Sequence, residues 1–162
     1  MSKGKLLKLF GIAFCLICFF LIGDETSWFI TEGGAAGSPQ PKPFKATFQG
    51  EVTDFDFKTK SISVEGSAVG IPIGESTFTA TGTIEDWNTG TGTVTIVTRD
   101  KSTITANLIG HLVGEDSFFG TYSVVGGTGR FQTAIGGSGI VSGTFDIRAR
   151  SFQGQATGNI IY

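Results

Sequence analysis

Cysteine is almost missing from this 162-residue chain: its two thiols, Cys15 and Cys18, share one apolar run near the N-terminus. Everything after Cys18 therefore has no disulfide framework and no thiolate metal site. Histidine is scarcer still, and a lone His111 excludes any metal site or catalytic pair built on two imidazoles. Clustered basic residues are lacking beyond the first eight positions, and the formal charge is only −2. A nucleic-acid partner needs a basic footprint, so no nucleic acid is expected. No Gly-Lys-Ser/Thr triplet occurs, which removes the phosphate-binding P-loop. Helical stretches are wanting too. From Phe44 to Tyr162, glycine or a threonine run interrupts every candidate.

What is present begins with a targeting pattern. Lys3, Lys5 and Lys8 precede an apolar run from Leu9 to Ile22, and Asp24 and Glu25 follow it. A basic flank before a short apolar run is the form of a secretory signal, and the run is short for a membrane span. Ala35-Ala36-Gly37 offers small side chains for cleavage before Ser38, at some distance from the run. An uncleaved signal-anchor stands beside it, with membrane anchoring through residues 9–22 and Trp28, Phe29 and Ile30 in the outer interface. Phe14 and Ile17 ahead of the cysteines argue against a lipid-modified anchor. Either way the domain is exported: periplasmic, extracellular, or held on the outer side of the cytoplasmic membrane. The chain thus divides into a signal peptide or signal-anchor at 1–23, a Gly/Ala- then Pro-rich linker at 24–43, and a domain at 44–162.

That domain alternates. Phe44, Ala46, Phe48, Gly50 and Val52 oppose Lys45, Thr47, Gln49, Glu51 and Thr53. Phe78, Ala80, Gly82 and Ile84 stand against four threonines, Thr77 to Thr83. Ile104 to Leu112 and Phe152 to Tyr162 repeat the pattern, and shorter strands fit at Ser61–Glu65, Thr93–Arg99, Phe118–Val125 and Ile140–Ile147. Period two with threonine enrichment is strand chemistry. After Val52 the apolar parity slips to Phe55 and Phe57, which places a bulge near Asp54. About eight strands with short turns predict an all-β fold: a small eight-stranded antiparallel β-barrel, filled by side chains or holding one small ligand.

The densest punctuation is Val125-Gly126-Gly127-Thr128-Gly129-Arg130-Phe131, followed by Ala134 and Gly136. It is no dinucleotide fingerprint, because Gln132 stands where the third glycine belongs and no helix is expected after it. It predicts a tight corner with positive φ at several of Gly126, Gly127 and Gly129, and with Phe131 plugging the barrel end. The motif GGTGRF-x-x-A-x-G after a strand, with two further strands ending in the aromatic Tyr162, resembles the allene oxide cyclase and dirigent-protein barrels. That resemblance implies an eight-stranded antiparallel barrel, commonly a homo-oligomer, binding an apolar or phenolic small molecule in its bore. It also implies steering of a cyclisation or radical coupling with no metal and no organic cofactor. Dirigent proteins usually carry an arginine right after the motif phenylalanine and another just before the final glycine; here these are Gln132 and Ile135.

Chemistry-bearing side chains are few. His111 falls on the Thr/Asn face of its strand, where it is a solvated side chain or a general base. Asp54 and Asp56 share a face but lack a third ligand in spacing, so no metal site is expected. Glu85-Asp86 and Glu115-Asp116 read as turn charges. Tyr122 shares its face with Phe118, Gly120 and Val124, so its ring should point inward, bonded to backbone or to a ligand. Phe48, Phe78 and Phe145, with Phe152, form core or pocket wall. The leading reading is a small apolar ligand bound by Tyr122, Phe48, Phe78 and Phe145, with any cyclisation or isomerisation resting on shape and preorganisation. Two alternatives accompany it: a non-catalytic structural or surface-adhesion module using the Thr77–Thr83 ladder, and an outer-membrane β-barrel.

Overall fold

The computed structural model describes residues 39–86 and 88–162. Eight antiparallel strands follow one another around a closed barrel: β1 Pro41–Asp56, β2 Ser61–Ile71, β3 Gly74–Ile84, β4 Thr89–Thr98, β5 Thr103–Val113, β6 Ser117–Gly127, β7 Ser138–Asp146 and β8 Ser151–Ile161. The all-β, eight-stranded expectation therefore holds. The segment at 1–23 lies outside the described residues, as does most of the linker. The last linker positions differ from expectation, because Pro41 pairs with Ile161 and Pro43 with Asn159. Proline is tolerated there because these residues open the strand, where few ladder donors are needed.

Burial follows the alternation. Phe44, Ala46, Ala68, Phe78, Ile104, Ala106 and Phe152 all point into the bore. Threonines occupy the outside in matched pairs, with Thr79 opposite Thr95, Thr81 opposite Thr93 and Thr83 opposite Thr91. The parity slip in β1 is a true register shift: Val52 faces Val64, Asp54 faces Ser63, and Thr53 is the extra residue.

Glycines on the inner face serve the aromatic rings. Directly across the ladder, Phe48 faces Gly154, Phe78 faces Gly66, Phe118 faces Gly143 and Phe152 faces Gly50. A Cβ on any of those four glycines would sit 2.6–2.8 Å from the opposing ring and 2.1–2.3 Å from a carbonyl oxygen. Each ring thus fills the hole that its glycine partner leaves, which holds an aromatic-rich interior inside so narrow a barrel.

One end of the barrel collects the turns after β2, β4 and β6, the start of β1 and the finish of β8. Phe131 closes it with no exposed surface, at 5.0 Å from the Tyr162 ring and near the fully buried Ile73 and Ile160. Phe131 belongs to a single 3-10 turn, Gly129–Phe131, the one helical element among the described residues. Arg130 ties three turns together here. Its guanidinium donates to the Pro72 and Ile73 carbonyls at 3.2 and 3.4 Å and lies 3.7 Å from Asp100, while its backbone N–H donates to Ser102 Oγ at 3.1 Å.

The glycine corner corrects one expectation. Of its three glycines only Gly129 has positive φ, at +59°. Gly127 is needed for closeness instead: a Cβ there would lie 2.6 Å from the Thr103 carbonyl oxygen and 2.8 Å from Phe131 Cβ. Gly126 faces open space, and beside it a register shift against Thr105 and Ala106 leaves Val125 out of the ladder with β5. Gly127→Ala and Gly129→Ala should each cost about 1–3 kcal/mol in urea unfolding. Gly126→Ala should stay within about 0.5 kcal/mol. Equal costs at all three would show that the corner does not depend on these close approaches.

Four turns are built on aspartate. Asp56, Asp86 and Asp146 each accept the backbone N–H two residues on, from Lys58, Asn88 and Arg148, at 2.7–2.8 Å. Asp100 accepts the Thr98 hydroxyl and both the hydroxyl and N–H of Ser102. These donors favour the ionised form and hold all four carboxyls below the ordinary value of 3.8. A lowered folded-state pKa adds stability that is present above the unfolded value and disappears as pH falls through the folded one. The melting temperature should therefore be level at neutral pH and drop below pH 3.8. Asp86→Asn should make that acid loss shallower, and an unchanged acid limb would reject the assignment.

Candidate ligand-binding cavity

The bore is not filled. A cavity of about 170 Å³ lies within it, and the side chains that face it are hydrocarbon except for the Tyr122 phenol. Two kinds of residue make it. Phe48 stands 6.2 Å from Phe78, 6.3 Å from Phe118 and 6.1 Å from Phe152, so four rings form one aromatic wall. Elsewhere Ala68, Ala80, Ala106, Gly82 and Gly92 are too small to reach the middle. An apolar cavity of roughly 150 Å³ stays dry and accepts a guest the size of benzene. This cavity is of that order.

Tyr122 provides the polar handle. It is 6% exposed, packs 5.4 Å from the Phe44 ring, and extends over Gly139 and Gly158. Its hydroxyl reaches the Asn159 carbonyl oxygen only at 3.5 Å, beyond the usual O–H···O range. The bond is therefore a weak one. Burial pushes the phenol up to about 12, so it stays neutral and donates.

Of the residues expected to meet a ligand, Tyr122, Phe48 and Phe78 come together on the cavity wall. Phe145 does not. It is buried and faces Phe152 across the ladder, but it borders a depression beside Glu65 and Gln153 instead. Strand parity fixed its inward direction but not its level along the bore. Sequence reasoning did not single out Ala80, Ala106 and Gly92 as cavity-forming; the pairing of strands sets Ala80 and Ala106 on either side of Val94, with Gly92 two residues along between Gly82 and Leu108.

The remaining candidates lie outside the bore. His111 Nδ1 is 3.3 Å from the Thr89 hydroxyl on the outer wall. Asp56 is committed to its own turn, and among the described residues no group of three metal-ligating side chains comes together. Gly127, Gly129 and Phe131 form the end plug already described, and Gly126 beside them faces open space. No protein-family model, curated protein or solved structure matches this chain.

Proposed function

We propose that the barrel binds one small, uncharged, largely hydrocarbon molecule in its bore, with the Tyr122 hydroxyl donating to a single oxygen on it. The carrying observation is the apolar cavity of about 170 Å³ with Tyr122, its one phenol, in the wall. No charged side chain lines it, so a charged guest would be left unpaired at high cost. The motif from Gly126 to Gly136 supports the same reading through its resemblance to the allene oxide cyclase and dirigent barrels. Any reaction there is a cofactor-free cyclisation or isomerisation in which the walls fold the substrate and the neutral phenol stabilises developing charge. The domain works outside the cytoplasm, delivered by the apolar run at residues 9–22.

The polarity of the wall favours this reading over an outer-membrane barrel. A lipid-facing barrel is apolar outside and polar within. Here Thr79, Thr81 and Thr93 face out while Phe78, Ala80 and Val94 face in.

Tyr122→Phe keeps the ring and deletes only the hydroxyl. With a fluorescent apolar probe and competing small ketones or alcohols, affinity for the oxygenated competitor should fall by about 1 kcal/mol, the worth of one buried hydrogen bond. Affinity for a pure hydrocarbon should not change. Probe exclusion by the wild-type protein would reject the binding reading.

A further inference from the structure

We propose that the glycine-corner end of the barrel rests on an anionic membrane surface, with Ile71 and Ile135 entering the lipid interface and lysines and arginines around them meeting the phosphates. The proposal rests on the expectation that residues 9–22 hold the chain in the bilayer, and it is independent of what the bore binds.

Exposure is the first observation. Ile71 and Ile135 are 63% and 72% exposed, and Val125 is 54% exposed. All three belong to this end: Ile71 finishes β2, Val125 sits at the register shift near the end of β6, and Ile135 donates its N–H to Ile161. Exposed apolar side chains occur at the far end too, in Phe57, Val113 and Phe119, but Ile135 and Ile71 are the two most exposed of them among the described residues.

Charge is the second observation. Lys42, Lys45, Arg99, Lys101 and Arg130 lie at this end against only Glu75 and Asp100. At the far end the balance reverses, with Lys58, Lys60, Arg148 and Arg150 outnumbered by Asp54, Asp56, Glu85, Asp86, Glu115, Asp116 and Asp146 in or beside its turns. A barrel polarised in this way orients its basic end toward anionic headgroups, where each nearby cation adds to the attraction. Basic side chains and exposed aliphatics at one end are the composition of a surface that lies on a bilayer without crossing it.

Connectivity is the third. β1 enters at Pro41, at the basic end, so residues 23–40 join the apolar run to this end and not to the far one. Eighteen residues reach at most about 60 Å in any conformation. Tethering at that range makes a weak surface contact effectively intramolecular, so modest apolar and ionic terms suffice.

The test uses the full chain reconstituted in phosphatidylcholine vesicles with and without phosphatidylglycerol. A photoreactive benzophenone side chain is placed at Ile71 or Ile135, and at Phe57 or Val113 as comparably exposed far-end controls. Circular dichroism confirms that each variant keeps its β-structure. Lipid adducts should form severalfold more at Ile71 and Ile135 than at Phe57 and Val113. They should require phosphatidylglycerol and fall with added salt or with Lys42→Glu and Lys101→Glu together. Equal labelling at both ends would overturn the proposal, as would adducts to a second copy of the chain in place of lipid. Labelling that persists in neutral vesicles, or a chain that fails to float with either vesicle, would overturn it too.

Discussion

Phe131→Ala should lower the stability of the barrel by about 3–5 kcal/mol, the cost of emptying a fully buried phenylalanine site. That is a large share of the roughly 5–15 kcal/mol available to a domain of this kind. The site cannot easily collapse to compensate. Phe131 is fixed from one side by the close approach of Gly127 and from the other by the Tyr162 ring, and the Gly129–Phe131 turn is pinned through Arg130. Phe131→Leu retains most of the volume and should cost less than half as much. Urea midpoints for the two variants decide the matter. A small, equal loss for both would mean that the plug is ornamental and that the bore is sealed by other side chains.

Ala106→Leu should abolish binding without harming the fold. Ala106 is 4% exposed and faces the cavity, so three added carbons would occupy the space a guest needs. Filling a dry cavity commonly stabilises a protein by about 0.5–2 kcal/mol. Affinity for the fluorescent probe should meanwhile fall at least tenfold, equivalent to about 1.4 kcal/mol. Opposite movement of stability and affinity is the diagnostic result. If both fall, the added side chain has strained the wall; if neither changes, the probe binds elsewhere and the bore is not the site.

The strands were legible wherever one face is dry and continuous. Phe44, Ala46 and Phe48 announced β1, and the slip from Val52 to Phe55 announced its bulge. The sequence misled where glycine stands in a strand. β2 was expected to stop at Glu65, yet it runs on through Gly66 and Gly70 to Ile71. β4 and β7 likewise begin earlier than expected, at Thr89 and Ser138, across Gly90, Gly92 and Gly139. A glycine looks like a break when the ring that covers it belongs to another strand; Gly66 has meaning only beside Phe78. The site was half legible for a related reason. Parity aimed Tyr122 and Phe48 inward correctly, while the emptiness between them depends on which small residues the strand pairing brings around the bore, and local spacing carries no record of that.

The pairing of β1 with β8 also dictates when the barrel can exist. Seven of its eight ladders join neighbours in the chain and form as local hairpins, whereas the eighth joins Lys45 to Thr157 across nearly the whole domain. Loop-closure entropy makes that contact the slowest to form, so zipping should end there. Until the last strand arrives, the 16 residues of β1 present a bare edge able to pair with any extended chain nearby. A polypeptide threaded outward from its N-terminus would carry that edge from the first moment to the last. The interval before closure, more than the finished barrel, is when this protein is most open to aggregation and most in need of protection.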